Sequence, residues 1–168
     1  IIIIIIMVAE PLEPKEARKE TTPRGVVTYD PPEWSGPPSS AFTAEVVKSG
    51  VVLETIALGP PRTHVTFGRH PECDVVIDHP SSSRLHCVVQ FKKDSNDVFA
   101  FDPGSTHGTF VNKRRLKKRM HAPIFVGDQI KFGESTRDYV IGGDETLMPE
   151  VGLTKRELEK AKGMQKKK

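Results

Sequence analysis

The sequence predicts an all-β fold, a sandwich or barrel built from short strands. Between residues 42 and 141, short runs rich in β-branched and aromatic residues follow one another, and no helical periodicity interrupts them. Gly, Pro, Asp, Asn and Ser separate these runs about every ten residues, which is typical of such folds. With 168 residues, 36% of them hydrophobic, the chain allows one domain of ordinary size with tails and argues against a large multidomain enzyme.

The predicted strands begin with a hairpin. Residues 42–48 and 51–56 are rich in β-formers and flank Ser49-Gly50, a two-residue hairpin signal. Seven further runs have the same β-rich composition. In chain order they are residues 64–67, 74–77, 85–91, 98–101, 109–111, 129–132 and 137–141. We therefore expect one folded domain over residues 41–143.

A Pro- and Glu-rich tail precedes the predicted domain. Residues 1–40 contain half of the 14 prolines, and beyond the leading isoleucines their apolar residues are scattered. Such a segment cannot offset the entropy lost on ordering, so we expect it to be disordered. Trp34 is the exception, because we expect it to pack on the outside of the domain as a clasp, with an exposed linker position as the alternative. Residues 1–6, six isoleucines before Met7, are expected to be an artefact foreign to the natural chain.

Membrane insertion and disulfide bonding are both unexpected for this chain. The isoleucine run is far shorter than the roughly 20 apolar residues of a membrane-spanning helix. The two cysteines, Cys73 and Cys87, do not form a disulfide framework. We therefore expect an intracellular, reducing compartment.

Residues 144–168 predict a linker followed by the start of a basic helix. Thr154 and Glu157 have the spacing of a capping box, and Leu153 before the cap can pack on Leu158. The helix is expected to begin directly after the cap. Because no stop signal precedes the terminal lysines, the chain is expected to continue past residue 168.

Three loop segments carry candidate ligand-binding residues. They are Gly68-Arg69, Ser81-Ser82-Ser83-Arg84-Leu85-His86 and Asp102-Pro103-Gly104-Ser105-Thr106-His107-Gly108-Thr109-Phe110. Each lies at a predicted strand end, where a rigid sandwich presents loops for binding. Together they supply the guanidinium groups of Arg69 and Arg84, the hydroxyls of Ser83 and Thr106, and N–H groups of glycine-flanked turns. A phosphate dianion requires this set of donors.

In their order and spacing, the three segments resemble the forkhead-associated (FHA) domain over roughly residues 42–142. The resemblance implies a β-sandwich of about eleven strands that binds phosphothreonine peptides. By position, the residues that match the phosphate-contacting set are Arg69, Ser83, Arg84 and Thr106. His107 stands where the family more often has an Asn that contacts the peptide backbone beside the phosphothreonine.

Five further residues are expected to support the site rather than contact the ligand. In the family pattern, the imidazole of His86 braces the loop that presents the serine. Gly104 and Gly108 are expected to adopt backbone angles that other residues resist. Asn112 is expected to bond nearby backbone at a turn, and Gly68 completes the first of the three motifs.

Within the FHA family, the chain is similar to the kanadaptin-like proteins, which are longer nuclear scaffolds. The segments that carry this similarity are Pro32-Glu33-Trp34, residues 104–113, residues 126–133 and Leu147-Met148-Pro149. The nuclear inhibitors of protein phosphatase one share residues 105–110 and are the competing group. The resemblance implies a nuclear protein, with a cytoplasmic location left open, whose partner is a phosphothreonine-containing protein.

A basic run follows the predicted strand at residues 109–111. Its cationic residues, six in seven, are Lys113, Arg114, Arg115, Lys117, Lys118 and Arg119. A solvated hairpin is favoured, and a nuclear localisation signal and a patch for nucleic acid or an acidic peptide are the alternatives. The second function hypothesis is accordingly a structural subunit associated with RNA or a ribonucleoprotein, for instance a splicing complex, that binds through basic surfaces or non-phosphorylated contacts.

The sequence argues against an enzyme, a metal site and a cofactor. Thr106 stands where a nucleophile elbow has Ser, and no strand-turn-helix context surrounds it. The chain's cysteines and neighbouring histidines lack the spacing of zinc ligands. The net charge of +3 is also too small for a uniformly basic nucleic-acid coat. We expect a monomeric, non-catalytic binding domain.

Overall fold

The computed structural model describes residues 28–147 of the chain. Eleven strands in two sheets account for the regular structure of these residues, apart from one 3₁₀ turn at Glu145–Leu147. The strands are β1 (Phe42–Lys48), β2 (Val51–Ala57), β3 (His64–Gly68), β4 (Val75–Val76), β5 (Cys87–Phe91), β6 (Val98–Phe101), β7 (Thr109–Val111), β8 (Arg114–Arg115), β9 (His121–Ile124), β10 (Gln129–Phe132) and β11 (Asp138–Gly143). The predicted all-β sandwich of about eleven strands is confirmed. The predicted C-terminal helix and residues 1–27 of the predicted tail lie outside the described residues.

The two sheets face each other as a sandwich. One has six strands in the order β2-β1-β11-β10-β7-β8, and the other has five in the order β4-β3-β5-β6-β9. All pairings are antiparallel except that of β3 with β4. The chain passes from the five-stranded sheet to the six-stranded sheet between β6 and β7, so the loop between them lies where the two sheets meet.

Two strands are absent from the sequence-based prediction, β8 and β9. Strand β8 is an Arg-Arg pair with no apolar pattern, and it forms only because a tight turn returns the chain beside β7. Strand β9 contains Pro123, which lacks a backbone N–H group and is tolerated because β9 is the edge of its sheet. Both strands depend on neighbours in the fold rather than on their own composition.

An aromatic cluster joins the two sheets beneath the candidate loops. The ring of Phe67 lies 5.1 Å from that of Phe132 and 5.7 Å from that of Tyr139, measured between centroids. Phe67 belongs to β3, whereas Phe132 and Tyr139 belong to β10 and β11. All three side chains are buried. Burial of such side chains contributes about 1.5–3 kcal/mol each, and here it holds together the strand ends from which the candidate loops begin.

A strap formed by residues 29–39 covers the outer face of the five-stranded sheet. Tyr29 Oη donates a hydrogen bond of 2.9 Å to Gln90 Oε1, and Ser35 pairs with Lys92 through a β-bridge. The Trp34 ring packs edge-on against Phe99 at 5.2 Å. This strap explains why all five residues of β5 are buried, including those whose side chains point away from the core.

The strap lies on the N-terminal side of the domain boundary expected at residue 41. The tail was predicted to extend to residue 40, whereas residues 29–39 contact the sheet in the structure. Trp34 packs on the outside of the domain, as the clasp prediction has it. Among residues 28–147, no helix is long and apolar enough to cross a membrane.

Two identical substitutions test the assignment of the core. Val65 in β3 is fully buried, whereas Val52 in the edge strand β2 is 52% exposed. Val65→Thr places a hydroxyl group in the core and should lower the free energy of unfolding by about 1–3 kcal/mol. Val52→Thr keeps the β-branched shape at the surface and should change it by less than about 0.5 kcal/mol. Urea unfolding measures both, and equal effects would contradict the described core.

Candidate functional site

Three loops meet at one end of the sandwich and bring the predicted ligand-binding residues together. The N–H group of Arg69 donates to the Ser83 carbonyl at 2.9 Å, and that of His70 donates to the Arg84 carbonyl at 3.2 Å. The N–H group of Thr106 donates to Ser83 Oγ at 3.1 Å. Ser83 is half-buried, and the other predicted ligand-binding side chains, Arg69, Arg84, Thr106 and His107, are exposed. The structure therefore clusters the predicted set on the surface.

Gly68 allows the first two loops to approach this closely. A Cβ atom added to Gly68 would collide with the backbone carbonyl of Arg84. Backbone cannot move aside as a flexible side chain does. Any residue larger than glycine would therefore push the Arg84 loop away from Arg69.

His86 connects the second loop to the third. The imidazole is buried, and its Nδ1 accepts a hydrogen bond of 3.0 Å from the Ser83 N–H group. Because Nδ1 accepts, the ring proton lies on Nε2, which donates to the Gly108 carbonyl at 2.8 Å. Burial lowers the pKa of His86, in agreement with this neutral form. The imidazole thus links the Ser83 N–H group of the second loop to the Gly108 carbonyl of the third.

Asp102 shapes the third loop from within. Its buried carboxylate accepts hydrogen bonds from the N–H groups of Gly104 at 2.9 Å and Ser105 at 2.6 Å, and from Ser105 Oγ at 2.6 Å. Burial alone would raise the pKa of Asp102, but the bonds from Ser105 and Gly104 outweigh it and lower that pKa. Gly104 adopts a φ of 124°, which only glycine adopts readily. The loop that carries Thr106 is therefore fixed by its own short-range bonds.

Asn112 lies at the turn between β7 and β8, away from these loops. Asn112 and Lys113 have φ values of 48° and 67°, as a two-residue hairpin turn requires. The Asn112 side chain donates to Asp128 Oδ1 at 2.8 Å and accepts from the Gln129 N–H group at 3.0 Å. It holds the hairpin against β10, and any support for the ligand site acts through that hairpin.

The basic run borders the third loop. Its six cationic side chains are exposed, while Leu116 packs against the core and its N–H group donates to the Thr109 carbonyl at 2.8 Å. Further along, the Arg119 N–H group donates to the Asp102 carbonyl at 2.7 Å. The run is therefore tethered to strand β7 through Leu116 and to the third loop through Arg119.

Two residues to which the sequence analysis gave no role, Ser81 and Gly133, connect the site to the β10–β11 turn. Ser81 is buried, and its Oγ donates to His79 Nδ1 at 2.7 Å and accepts from the Glu134 N–H group at 2.9 Å. Gly133 has a φ of 55°, and its N–H group donates to the Gly108 carbonyl at 2.8 Å. The glycine that directly follows β10 was a sequence signal for a turn at this position. It did not reveal which residues the turn contacts, because those residues are distant in the sequence.

The loops of the site offer hydrogen-bond donors and positive charge. His86 and Asp102, the buried titratable side chains beneath it, are held in the hydrogen bonds described above. Burial raises the pKa of the Cys87 thiol to about 12 and also raises that of Cys73. Among residues 28–147, no group of three or more His, Cys, Asp or Glu side chains could hold a metal ion. An anion is the ligand class that fits these loops.

We expect acid to destabilise the fold before its carboxylates titrate. Burial lowers the pKa of His64, His86 and His121 from the ordinary value of 6.5. The unfolded chain therefore takes up protons that the folded chain resists, so stability is greatest above pH 6.5 and falls as the pH drops below it. Urea unfolding at about pH 7.5 and about pH 5.5 measures this difference. The variant His86→Phe should be less stable at the higher pH and show a smaller pH dependence, and a wild type more stable at the lower pH would contradict this account.

Comparisons with known proteins agree with the geometry. The FHA domain family matches at residues 65–133. Human kanadaptin is 37% identical over 126 residues, which cover 70% of this chain and 17% of that protein. The human nuclear inhibitor of protein phosphatase 1 is 34% identical over 122 residues, which cover 72% of this chain and 34% of that protein. The chain thus spans about a third or less of these two relatives.

A solved structure of an FHA domain has the same fold as this chain. The solution structure of the FHA domain of TbPar42 is 34% identical in sequence and superposes with a TM-score of 0.57. The match covers 74% of this chain and 67% of that one. Together with the kanadaptin match, it confirms the predicted resemblance. The chain belongs to the FHA domain family.

Proposed function

We propose that this domain binds phosphothreonine peptides through Arg69, Ser83, Arg84 and Thr106. FHA domains are phosphothreonine-binding interaction modules and not enzymes, and the match to this family supports the same class of function here. The observation that carries the proposal is the convergence of the three loops, in which the Thr106 N–H group bonds directly to Ser83 Oγ. Because that oxygen accepts the bond, its own O–H group remains free to donate to a phosphate.

Charge supports an anionic ligand at the same place. Arg69 and Arg84 are exposed, and neither forms an ion pair with a carboxylate in the described part of the chain. Glu72 and Asp74 follow Arg69 closely in the sequence, and Asp74 instead accepts hydrogen bonds of 2.8 Å from the N–H group and Oγ1 of Thr66. A phosphate dianion would supply the missing partner for both guanidinium groups.

His107 is proposed to contact the peptide beside the phosphothreonine. Its side chain is exposed on the third loop, one residue after Thr106. Its Cβ atom lies close to Gly133 on the β10–β11 turn, which limits how far the ring can retreat from the loop. An imidazole can donate or accept one hydrogen bond, so it keeps the polar character of the Asn that is more frequent there in the family.

The proposed setting is a nuclear scaffold protein of the kanadaptin type. The name of the nuclear inhibitor of protein phosphatase 1 places that relative in the nucleus, and kanadaptin is the other relative described above. Both are far longer than this chain, so further segments would carry the rest of the scaffold's contacts. The partner recognised by the domain would be a protein phosphorylated on threonine.

Loss of Arg69 should weaken phosphopeptide binding about 10- to 100-fold, because a charge-assisted hydrogen bond contributes about 1.5–3 kcal/mol. The measurement is calorimetric titration of Arg69→Ala with phosphothreonine peptides selected from a library by the wild type. Arg62→Ala is the matched control. Arg62 is also exposed and precedes β3, whereas Arg69 follows the opposite end of that strand. The control should bind like the wild type.

Two results would reject the phosphothreonine proposal. One is equal affinity of the wild type for phosphorylated and unphosphorylated forms of every selected peptide, which would favour a non-phosphorylated mode of binding. The other is a loss of affinity that is the same for Arg62→Ala and Arg69→Ala, which would mean that affinity depends on the overall positive charge of the domain and not on a specific contact of Arg69.

RNA or ribonucleoprotein association is a second candidate function, favoured by the exposure of all six cations of the basic run. Under the phosphopeptide proposal, we expect RNA binding to be weak, steeply salt-dependent and unchanged by Arg69→Ala. Replacing Lys117, Lys118 and Arg119 with Gln should reduce the slope of log affinity against log salt by about 2 for single-stranded RNA. Filter binding across salt concentrations measures this. Tight, sequence-specific RNA binding that this triple substitution abolishes would establish the second candidate instead.

A further inference from the structure

One cation of the basic run, Arg115, lies against the loop that carries Thr106. A Cβ atom added to Gly108 would lie 2.6 Å from Arg115 Nε, 3.0 Å from its Cζ and 3.1 Å from its Nη2. The guanidinium group therefore lies directly against the backbone of Gly108. Gly108 has a φ of 84° and no side chain, and both properties leave room for this contact.

Strand geometry separates Arg115 from its neighbour in the run. Arg115 lies opposite Phe110, whereas Arg114 lies opposite Val111, whose side chain is in the core. Because successive side chains of a strand point to opposite faces, the two arginines project in opposite directions from the hairpin. Only Arg115 of this pair has its guanidinium group against the third loop.

The position of Arg115 sets the distance at which it can act. Gly108 follows Thr106 by two residues, so their Cα atoms are at most about 7 Å apart. An extended peptide advances about 3.3 Å per residue. An acidic side chain about two to four residues from the phosphothreonine would therefore reach the guanidinium group of Arg115.

The charge of Arg115 is unpaired within the described residues. Its side chain is exposed, and no carboxylate among residues 28–147 forms an ion pair with it. Lys131 lies opposite Phe110 on the other side, but it has the acidic Asp138 as its own cross-strand neighbour, whereas Arg115 has no acidic residue opposite it. The charge of Arg115 therefore makes this rim of the site complementary to an anionic group.

Resting on the proposed function, we propose that Arg115 forms a second subsite that binds an anionic group of the ligand. The preferred ligands are then phosphothreonine peptides with an acidic residue or second phosphate two to four residues away. The basic hairpin then determines which phosphothreonine sequences are selected, while Arg69 and its loop partners hold the first phosphate. Acidic peptide, rather than nucleic acid, is the favoured occupant because the contact joins this one arginine to the peptide-binding loop.

Matched peptides and matched variants of the 168-residue chain test this subsite. The parent peptide contains one phosphothreonine in neutral flanks, and derivatives carry a single Glu two, three or four residues before or after it. At least one derivative should bind the wild type about five-fold tighter than the parent. Arg115→Gln should lose this preference and keep its affinity for the parent peptide within about two-fold, which also shows that the variant is folded. Arg114→Gln, the control, should keep the preference.

Charge inversion gives a second, independent readout. Arg115→Glu should prefer a derivative with Lys in place of Glu at the same position, since the sign of the subsite is reversed. If no acidic derivative binds better, or if Arg114→Gln loses the preference as fully as Arg115→Gln, the subsite is rejected. Loss of RNA affinity in Arg115→Gln without any acidic-peptide preference also rejects it, in favour of nucleic acid.

Failure of this inference can be told apart from failure of the proposed function. Parent-peptide binding that depends on Arg69 and on phosphorylation, without an effect of Arg115, removes only the second subsite. Binding of the parent peptide that is insensitive to phosphorylation removes both.

Discussion

The candidate site depends on one buried imidazole. His86 joins the Ser83 N–H group to the Gly108 carbonyl, and these partners belong to two loops that are otherwise linked mainly by the bond between Thr106 and Ser83 Oγ. A buried N–H or C=O group without a partner costs about 1–3 kcal/mol. The neutral ring is the partner of the Ser83 N–H group, and it donates to the Gly108 carbonyl, which also accepts from the Gly133 N–H group. The ring thereby fixes the distance between the serine and threonine that are proposed to hold the phosphate.

Below the loops, the core supplies the rigidity that such a site requires. Phe67 and Phe132 meet at the strand ends that lead into Gly68 and Gly133, and the His86 ring packs edge-on against Phe132 at 5.6 Å. Hydrophobic packing thus positions the strand ends, and hydrogen bonds between loops determine the last few ångströms. The exposed arginines contribute little to this framework, which leaves their guanidinium groups available for a ligand.

Much of this arrangement could be predicted from local sequence. The strand pattern, the turn at Asn112 and the Asp102–Ser105 bonds involve residues that are close in the chain, and the loop motifs carried the family resemblance. The contacts that complete the site could not be predicted in the same way, because His86 is 22 residues from Gly108 and Ser83 is 23 from Thr106. The contact of Arg115 with Gly108 could not be predicted from local sequence either. It requires strand β8, two arginines that become a strand only when the folded hairpin pairs them with β7.

The most direct test of the central claim is where a phosphopeptide perturbs the backbone. Amide ¹H–¹⁵N spectra recorded during titration with matched phosphothreonine and threonine peptides locate the contact without any substitution. We expect only the phosphorylated peptide to shift the amide resonances of Arg69, Arg84 and Thr106, while those of the strap and β2 stay unchanged. Shifts confined to the basic hairpin, or the same shifts with both peptides, would contradict it.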